Sequence, residues 1–215
     1  MDIFVFGTLR SDTLREIVLG RDISSDDICE ATIRDFQVYW AKEGPFPVMI
    51  PEPNSEAYGL VLKNLSEPDV ERLNYYELGF DYVLATTSVE THAGKIGVSA
   101  YFCNRSDMAT SKLWSFDDWL SDHSEIQYLA AREFLDFFGT KFGDTAQVMY
   151  NSILKRAEVF VSESSTPSSA LEIGPDLNTN IQIEDFKREY LGFFALNQVD
   201  LKYPFFDNST SGLKS

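Results

Sequence analysis

Ile3-Phe4-Val5-Phe6-Gly7-Thr8-Leu9-Arg10-Ser11 is the stretch that decides the fold. Its first four residues form an apolar, aromatic-rich run that reads as a buried strand. Gly7-Thr8-Leu9-Arg10 breaks the run. Ser11 to Leu19 then reads as a short amphipathic helix with Leu14, Ile17 and Val18 on one face, Ser11 as its N-cap and Gly20 as its stop. A strand that passes through a glycine turn into a helix directs several free backbone N–H groups at one spot. Such a spot favours a carboxylate or another oxyanion.

The chain has 215 residues, enough for one full core and a smaller second unit. Its 17 Phe and 10 Tyr mark it as globular rather than disordered. The net charge of -16 argues against a nucleic-acid or anionic-membrane surface, both of which need clustered Lys and Arg. Cys29 and Cys103 set up no disulfide framework, and His92 and His123 lack ligand-like spacing, so no metal site is expected. No apolar run reaches the roughly 18 residues of a spanning helix, and the N-terminus reads as a strand rather than a signal peptide. Cytoplasm is the default expectation.

Residues 1–104 read mostly as strands: Ala31 to Trp40, Pro47 to Ile50, Ala57 to Leu62, Tyr82 to Glu90 and Ile96 to Phe102. Thr91-His92-Ala93-Gly94 reads as a hairpin tip joining the last two. One helix interrupts them, with Ser66 as N-cap, Pro68 in the first turn, and Val70, Leu73 and Asn74 at helical spacing. The expected fold class is therefore α+β, a small, twisted, mixed β-barrel. Residues 105–161 read as a helical extension, helical from Ser111, with Gly139 ending one run and Asp144 capping the last helix. Residues 162–175, opening on Ser162 to Ser169, read as a flexible linker, and residues 176–215 as a C-terminal extension too short for its own core.

With two histidines outside any motif, no Ser-His-Asp or Cys-His arrangement is credible, and no phosphate-binding glycine fingerprint is present. Among many carboxylates, Glu77 stands out. It closes the Ser66 helix inside Leu73-Asn74-Tyr75-Tyr76-Glu77-Leu78-Gly79-Phe80-Asp81-Tyr82. Two environments fit that segment: a helix-terminal side chain facing water, or a carboxyl desolvated among aromatics. The second raises its pKa toward neutrality and suits it to shuttle protons.

Phe6-Gly7-Thr8-Leu9-Arg10 resembles the N-terminal loop of the γ-glutamylcyclotransferase-like (AIG2-like) family. About seventy residues on, that family carries a leucine-aspartate-x-aromatic-glutamate segment followed by a tyrosine; here it reads Leu73-Asn74-Tyr75-Tyr76-Glu77, then Tyr82. Gly59-Leu60-Val61-Leu62 and Ala100-Tyr101 also sit where the family places a strand and a closing aromatic. The resemblance covers residues 1–104. It departs at Phe6, in place of a tyrosine, and at Asn74, in place of the aspartate.

The resemblance implies that a γ-glutamyl amine or peptide is cyclised to 5-oxoproline with release of the amine. It assigns Glu77 as acid/base, Phe6, Gly7, Thr8, Leu9 and Arg10 to the substrate-binding loop, and Tyr82 to the pocket border. The implied partner is thus a small-molecule γ-glutamyl substrate, with no metal, no organic cofactor, no nucleic acid and no membrane. The alternative is a module that keeps the fold and binds or regulates without turnover. A second, fainter resemblance runs from Phe186 to Gly212, carried by Tyr190, Phe193-Phe194-Ala195-Leu196 and Phe205-Phe206-Asp207. These are similar to the flank preceding some ADP-ribose-type Nudix hydrolases, including two-module proteins labelled as tellurite-resistance proteins, although no Nudix box follows. The aromatics of the tail suit a partner surface, a homodimer among the arrangements they would serve.

Overall fold

The structure is a computed structural model and describes residues 1–77, 82–103, 105–140 and 150–164. The chain divides into Met1–Val161 and Ser162–Ser215. The helix start expected at Asp144, the linker beyond Ser164 and the Nudix-like segment lie outside the described residues.

Strand β1 (Ile3–Val5) is buried at all three positions, as its unbroken apolar run demands. It lies between β3 (Pro47–Leu62), antiparallel with Ile3 opposite Leu62, and β5 (Gly94–Cys103), parallel with Ile3 opposite Ser99. β5 pairs along its length with β4 (Tyr82–Thr91). β4 meets β2 (Ile28–Ala41) at Glu90 opposite Thr32, and β2 returns to β3 through a long antiparallel ladder. The order β3-β1-β5-β4-β2 therefore closes on itself as a mixed five-stranded barrel. Next to the β2–β4 seam, Arg34 Nη2 donates to Glu90 Oε2 at 2.7 Å.

The hairpin tip is a two-residue loop, His92-Ala93. Gly94 takes φ +117°, and Thr91 Oγ1 both accepts from Ala93 N–H and donates to the Gly94 carbonyl. Pro47 to Ile50 and Ala57 to Leu62, expected as two strands, form one. Pro51-Glu52-Pro53-Asn54 read as breakers, but residues 52–55 are accommodated as a bulge opposite Asp35. There Asp35 and Asn54 both take positive φ, and the Asn54 amide donates to Asp35 Oδ1 at 3.0 Å.

Helix α1 (Asp12–Leu19) starts and stops where its caps predict. Ser11 Oγ accepts from the Leu14 amide, and Gly20 takes the left-handed conformation at φ +71°. Helix α2 (Glu67–Glu77) opens on a reciprocal cap: Ser66 N–H and Oγ donate to Asp69 Oδ2, and Asp69 N–H donates to Ser66 Oγ. Two arginines bind α1 and α2 together. Arg21, just past α1, donates twice to the Asp69 carboxylate, at 2.9 and 2.6 Å. Arg72 donates to the Val18 carbonyl at 2.7 Å, satisfying an orphan acceptor at the end of α1. The last residue of α2, Glu77, is thereby held in register with the loop that precedes α1.

Residues Ser111 to Leu113, expected as helix, instead belong to β6 (Ala109–Leu113). This strand pairs with the far end of β2, Tyr39 opposite Leu113, because β2 runs past the barrel and leaves an edge to be covered. The helical region begins at Ser115, which caps α3 (Phe116–Asp122), followed by α4 (Ser124–Leu135). Tyr75 of α2 stacks on Phe134 of α4 with ring centroids 4.6 Å apart, and the side chain of Trp119 of α3 is fully buried. Gly139 follows α4 with φ +70°. The last described helix, α5 (Tyr150–Ser164), takes in the first residues of the serine-rich stretch. Among the described residues no helix is long and apolar enough to cross a membrane.

Candidate active site

One end of the barrel opens into a cavity of about 250 Å³. The loop after β1 forms one wall, with Phe6, Gly7, Thr8 and Leu9 against it. Gly7 is required by close approach: a Cβ there would stand 2.4 Å from Pro47 Cγ. The loop folds as a 3-10 turn over Thr8–Arg10, in which Arg10 N–H donates to the Gly7 carbonyl and Ser11 N–H to the Thr8 carbonyl. The amides of Gly7, Thr8 and Leu9 donate to no acceptor among the described residues, so they remain available to a ligand.

Arg10 stands apart from the rest of its motif. Its amide is used to close the turn. Its guanidinium lies outside the cavity, over the Phe116 ring at 4.5 Å and the Tyr58 ring at 5.1 Å.

Glu77 lines the same cavity. The residue as a whole is partly buried. Its carboxyl makes no hydrogen bond or ion pair to any described residue. Burial alone pushes its pKa up from 4.5 to about 7. Of the two environments open to Glu77 from the sequence, the structure has the desolvated one.

Four phenols surround this carboxyl: Tyr76, Tyr82, Tyr101 and Tyr150 all line the cavity, and each feels the Glu77 charge. Burial raises all four, Tyr150 to about 12, so each is a neutral O–H at physiological pH. Tyr82 donates to the Pro47 carbonyl at 2.8 Å, which anchors the start of β3 beneath the Gly7 loop. Tyr101 donates to Asn74 Oδ1, also at 2.8 Å. Asparagine at position 74, where the family pattern has an aspartate, thus supplies an acceptor oxygen to the Tyr101 hydroxyl.

Several lining residues carry no local signature in the sequence. Glu43 and Phe46 come from the β2–β3 connection, Pro47 opens β3, and Met108 precedes β6. Gln127 on α4 and Tyr150, Asn151 and Leu154 on α5 form the wall contributed by the helical extension. Gln127 could have been noticed as the one polar residue on a helix face shared with Ala131 and Phe134. Among the described lining residues Glu43 and Glu77 are the charged ones and none is Lys or Arg. No three His, Cys, Asp or Glu side chains among the described residues gather in a metal-holding arrangement.

The arrangement can therefore hold an anionic group on backbone amides and exchange a proton at Glu77 in one enclosed space. The sequence model of the family described as "Gamma-glutamyl cyclotransferase, AIG2-like" matches residues 3–121. Among similar proteins, AIG2-like protein A of Arabidopsis thaliana is 26% identical over 127 residues, 58% of this chain and 74% of that protein. Protein AIG2 A of the same plant is 24% identical over 172 residues, 79% of this chain and 94% of that protein. A solution structure of another Arabidopsis thaliana protein superposes with a TM-score of 0.46 at 20% identity, covering 80% of this chain and 94% of that one.

Proposed function

The chain belongs to the gamma-glutamyl cyclotransferase, AIG2-like family, and from that membership we propose that it cyclises a γ-glutamyl amine to 5-oxoproline and releases the amine. The observation that carries this reading is Glu77, a carboxyl with a pKa near 7, lining one cavity with the free amides of Gly7, Thr8 and Leu9.

The chemistry follows from those groups. The α-carboxylate of the substrate, which meets no Lys or Arg among the described lining residues, is held by backbone N–H groups. Glu77 as carboxylate takes a proton from the α-ammonium. The freed amine attacks the γ-carbonyl carbon, forming the ring C–N bond, and a backbone amide of the loop stabilises the developing oxyanion. The intermediate collapses by breaking the original amide C–N bond as Glu77 gives its proton to the departing nitrogen. The second proton of the ring nitrogen passes through the regenerated Glu77 carboxylate to the released amine, which leaves as an ammonium beside the neutral lactam. A group that accepts and then donates works best with a pKa near the operating pH. Nucleophile and electrophile share one molecule, so holding the bent conformer can be worth on the order of 7–11 kcal/mol. Tyr82 supports the site through its bond to Pro47.

The acidic lining, Glu43 with Glu77, favours a leaving group that is neutral or cationic over one bearing a carboxylate. The test is release of 5-oxoproline from a panel of γ-glutamyl amines and peptides, wild type beside Glu77→Gln. We expect cationic leaving amines to be turned over with higher kcat/KM than glutathione. Glu77→Gln should lose about 10²–10⁴-fold, the usual range for a general acid–base group. Wild-type silence across the panel would refute the enzyme reading, leaving a binding module, a reading that the missing hydroxyl at Phe6 favours.

A further inference from the structure

The described lining of the cavity carries the carboxylates of Glu43 and Glu77 and no Lys or Arg, yet the proposed reaction has it hold a substrate carboxylate. A cation stands one step back. Arg15 of α1 does not line the cavity; it is 4% exposed, and its side chain runs back along the helix to the loop that precedes it. Its Nη1 donates to the Leu9 carbonyl at 3.0 Å and to the Arg10 carbonyl at 2.7 Å. Its Nη2 pairs with the Asp12 carboxylate, which is 93% exposed and so screened by water. Each loop carbonyl that Arg15 binds heads a chain of peptide groups. The Leu9 carbonyl shares its peptide with the Arg10 N–H, which donates to the Gly7 carbonyl at 3.0 Å, and that carbonyl shares its peptide with the Thr8 N–H. The Arg10 carbonyl shares its peptide with the Ser11 N–H, which donates to the Thr8 carbonyl at 3.0 Å, and that carbonyl shares its peptide with the Leu9 N–H. Both chains begin at one guanidinium. Both end at an amide that meets no acceptor among the described residues, on a residue that lines the cavity.

We propose that Arg15 is the positioning residue of the anion-holding loop: by binding the Leu9 and Arg10 carbonyls it fixes and polarises both peptide chains, so that the Thr8 and Leu9 N–H groups hold a substrate carboxylate more tightly than unassisted amides would. The inference rests on the γ-glutamyl reading of the cavity. A cation drawing on a carbonyl oxygen makes the N–H of the same peptide a stronger donor, and successive bonds along a chain reinforce one another. The fixed fork of a guanidinium suits it to bind two carbonyls and a carboxylate at once. Charge placed behind the loop also spares Glu77. An arginine inside the cavity would pair with that carboxyl and hold its pKa down, whereas burial alone sets it near 7 here.

The test uses the full chain as wild type, Arg15→Met and Arg15→Lys, each checked for cooperative unfolding. Calorimetry measures binding of 5-oxoproline and of its neutral carboxamide, and release of 5-oxoproline from the γ-glutamyl panel is assayed beside it. Arg15→Met removes the charge and both carbonyl bonds. From cooperative strengthening of about 10–30% on each of two charge-assisted bonds, the preference for acid over carboxamide should fall roughly 2- to 20-fold, with the carboxamide bound within about twofold of wild type. Arg15→Lys keeps the cation without the fork and should lose a smaller part of the same preference. Its ratio decides the matter if Arg15→Met fails to unfold cooperatively. Acid and carboxamide weakened alike, or neither weakened, overturns the inference, because a merely structural arginine serves both ligands equally; the enzyme reading stands if wild type releases 5-oxoproline. Wild type that binds 5-oxoproline but releases none overturns the enzyme reading, and the ratio in the variants still decides the inference. Wild type that neither binds nor releases 5-oxoproline overturns both.

Discussion

Glutamine at position 77 keeps the size of the side chain and removes its charge, so Glu77→Gln isolates the cost of burying a carboxylate in this cavity. In the folded protein burial raises the Glu77 pKa from 4.5 to about 7. At about 1.4 kcal/mol for each tenfold change in proton affinity, and with some relief from water in the cavity, the ionised side chain destabilises the fold by about 2–3 kcal/mol. The sign sets the pH window. At pH 4.5 the folded side chain is protonated and the unfolded one only half ionised, and below that both are protonated, so wild type and variant are close in stability. As pH rises, the unfolded chain ionises while the folded chain holds its proton, and wild-type stability falls. Above about pH 7 the deficit is complete. Glu77→Gln should therefore melt roughly 4–12 °C above wild type at pH 8.5, from about 2–4 °C per kcal/mol in a chain of this size, and within a degree or two of it at pH 4.5. Urea denaturation at the two pH values measures the difference, and groups shared by both proteins cancel. An equal shift at both pH values would refute the reasoning, because it would trace the effect to packing rather than charge.

Two further outcomes are expected from the same denaturation assay. Asp69→Ala should cost about 3 kcal/mol at neutral pH, since it strips Arg21 and the Ser66 cap of a buried partner. Arg21 holds the Asp69 carboxyl well below the usual range. Its contribution is thus present above about pH 4 and fades as wild-type Asp69 protonates at lower pH, where the gap should narrow. Gly59→Ala should cost about 1–3 kcal/mol, because a Cβ there meets the Val5 carbonyl at 2.4 Å and the fully buried Phe4 ring at 2.7 Å; an unchanged midpoint would show that β1 and β3 can part without loss.

What was legible in the sequence is what local chemistry dictates. Ser11 and Gly20 bracket α1, Ser66 opens α2, and a two-residue turn joins β4 to β5, because caps and tight turns are decided by residues adjacent in the chain. Glu77 was legible as a candidate because its aromatic neighbours Tyr76 and Tyr82 lie within five residues. What local chemistry misassigned depends on pairing at a distance. Pro51 and Pro53 look like strand breakers. They are tolerated because Asp35, on the opposite strand, receives the bulge. Ala109 to Leu113 becomes a strand only because β2 overhangs the barrel and presents an unpaired edge. The helical wall of the cavity brings Gln127 to Tyr76 across 51 positions, a separation at which no spacing rule speaks.

The long β2–β3 ladder works as a cantilever. Its root, where Ile28 to Arg34 pair with Glu56 to Leu62, is part of the closed barrel; its arm, where Phe36 to Trp40 pair with Pro47 to Pro51, projects beyond the bulge at Asp35 and carries Glu43 and Phe46 at its tip to the cavity rim. Glu77 and the Gly7 loop are rooted in α2 and the barrel, while the rim is hung from the arm, which the bond from Tyr82 to the Pro47 carbonyl ties back to the cavity. Changes in arm length or in the pitch of the bulge would then reshape the entrance without moving Glu77. A fold so divided can diversify the compounds that reach its cavity while the surroundings of Glu77 stay fixed.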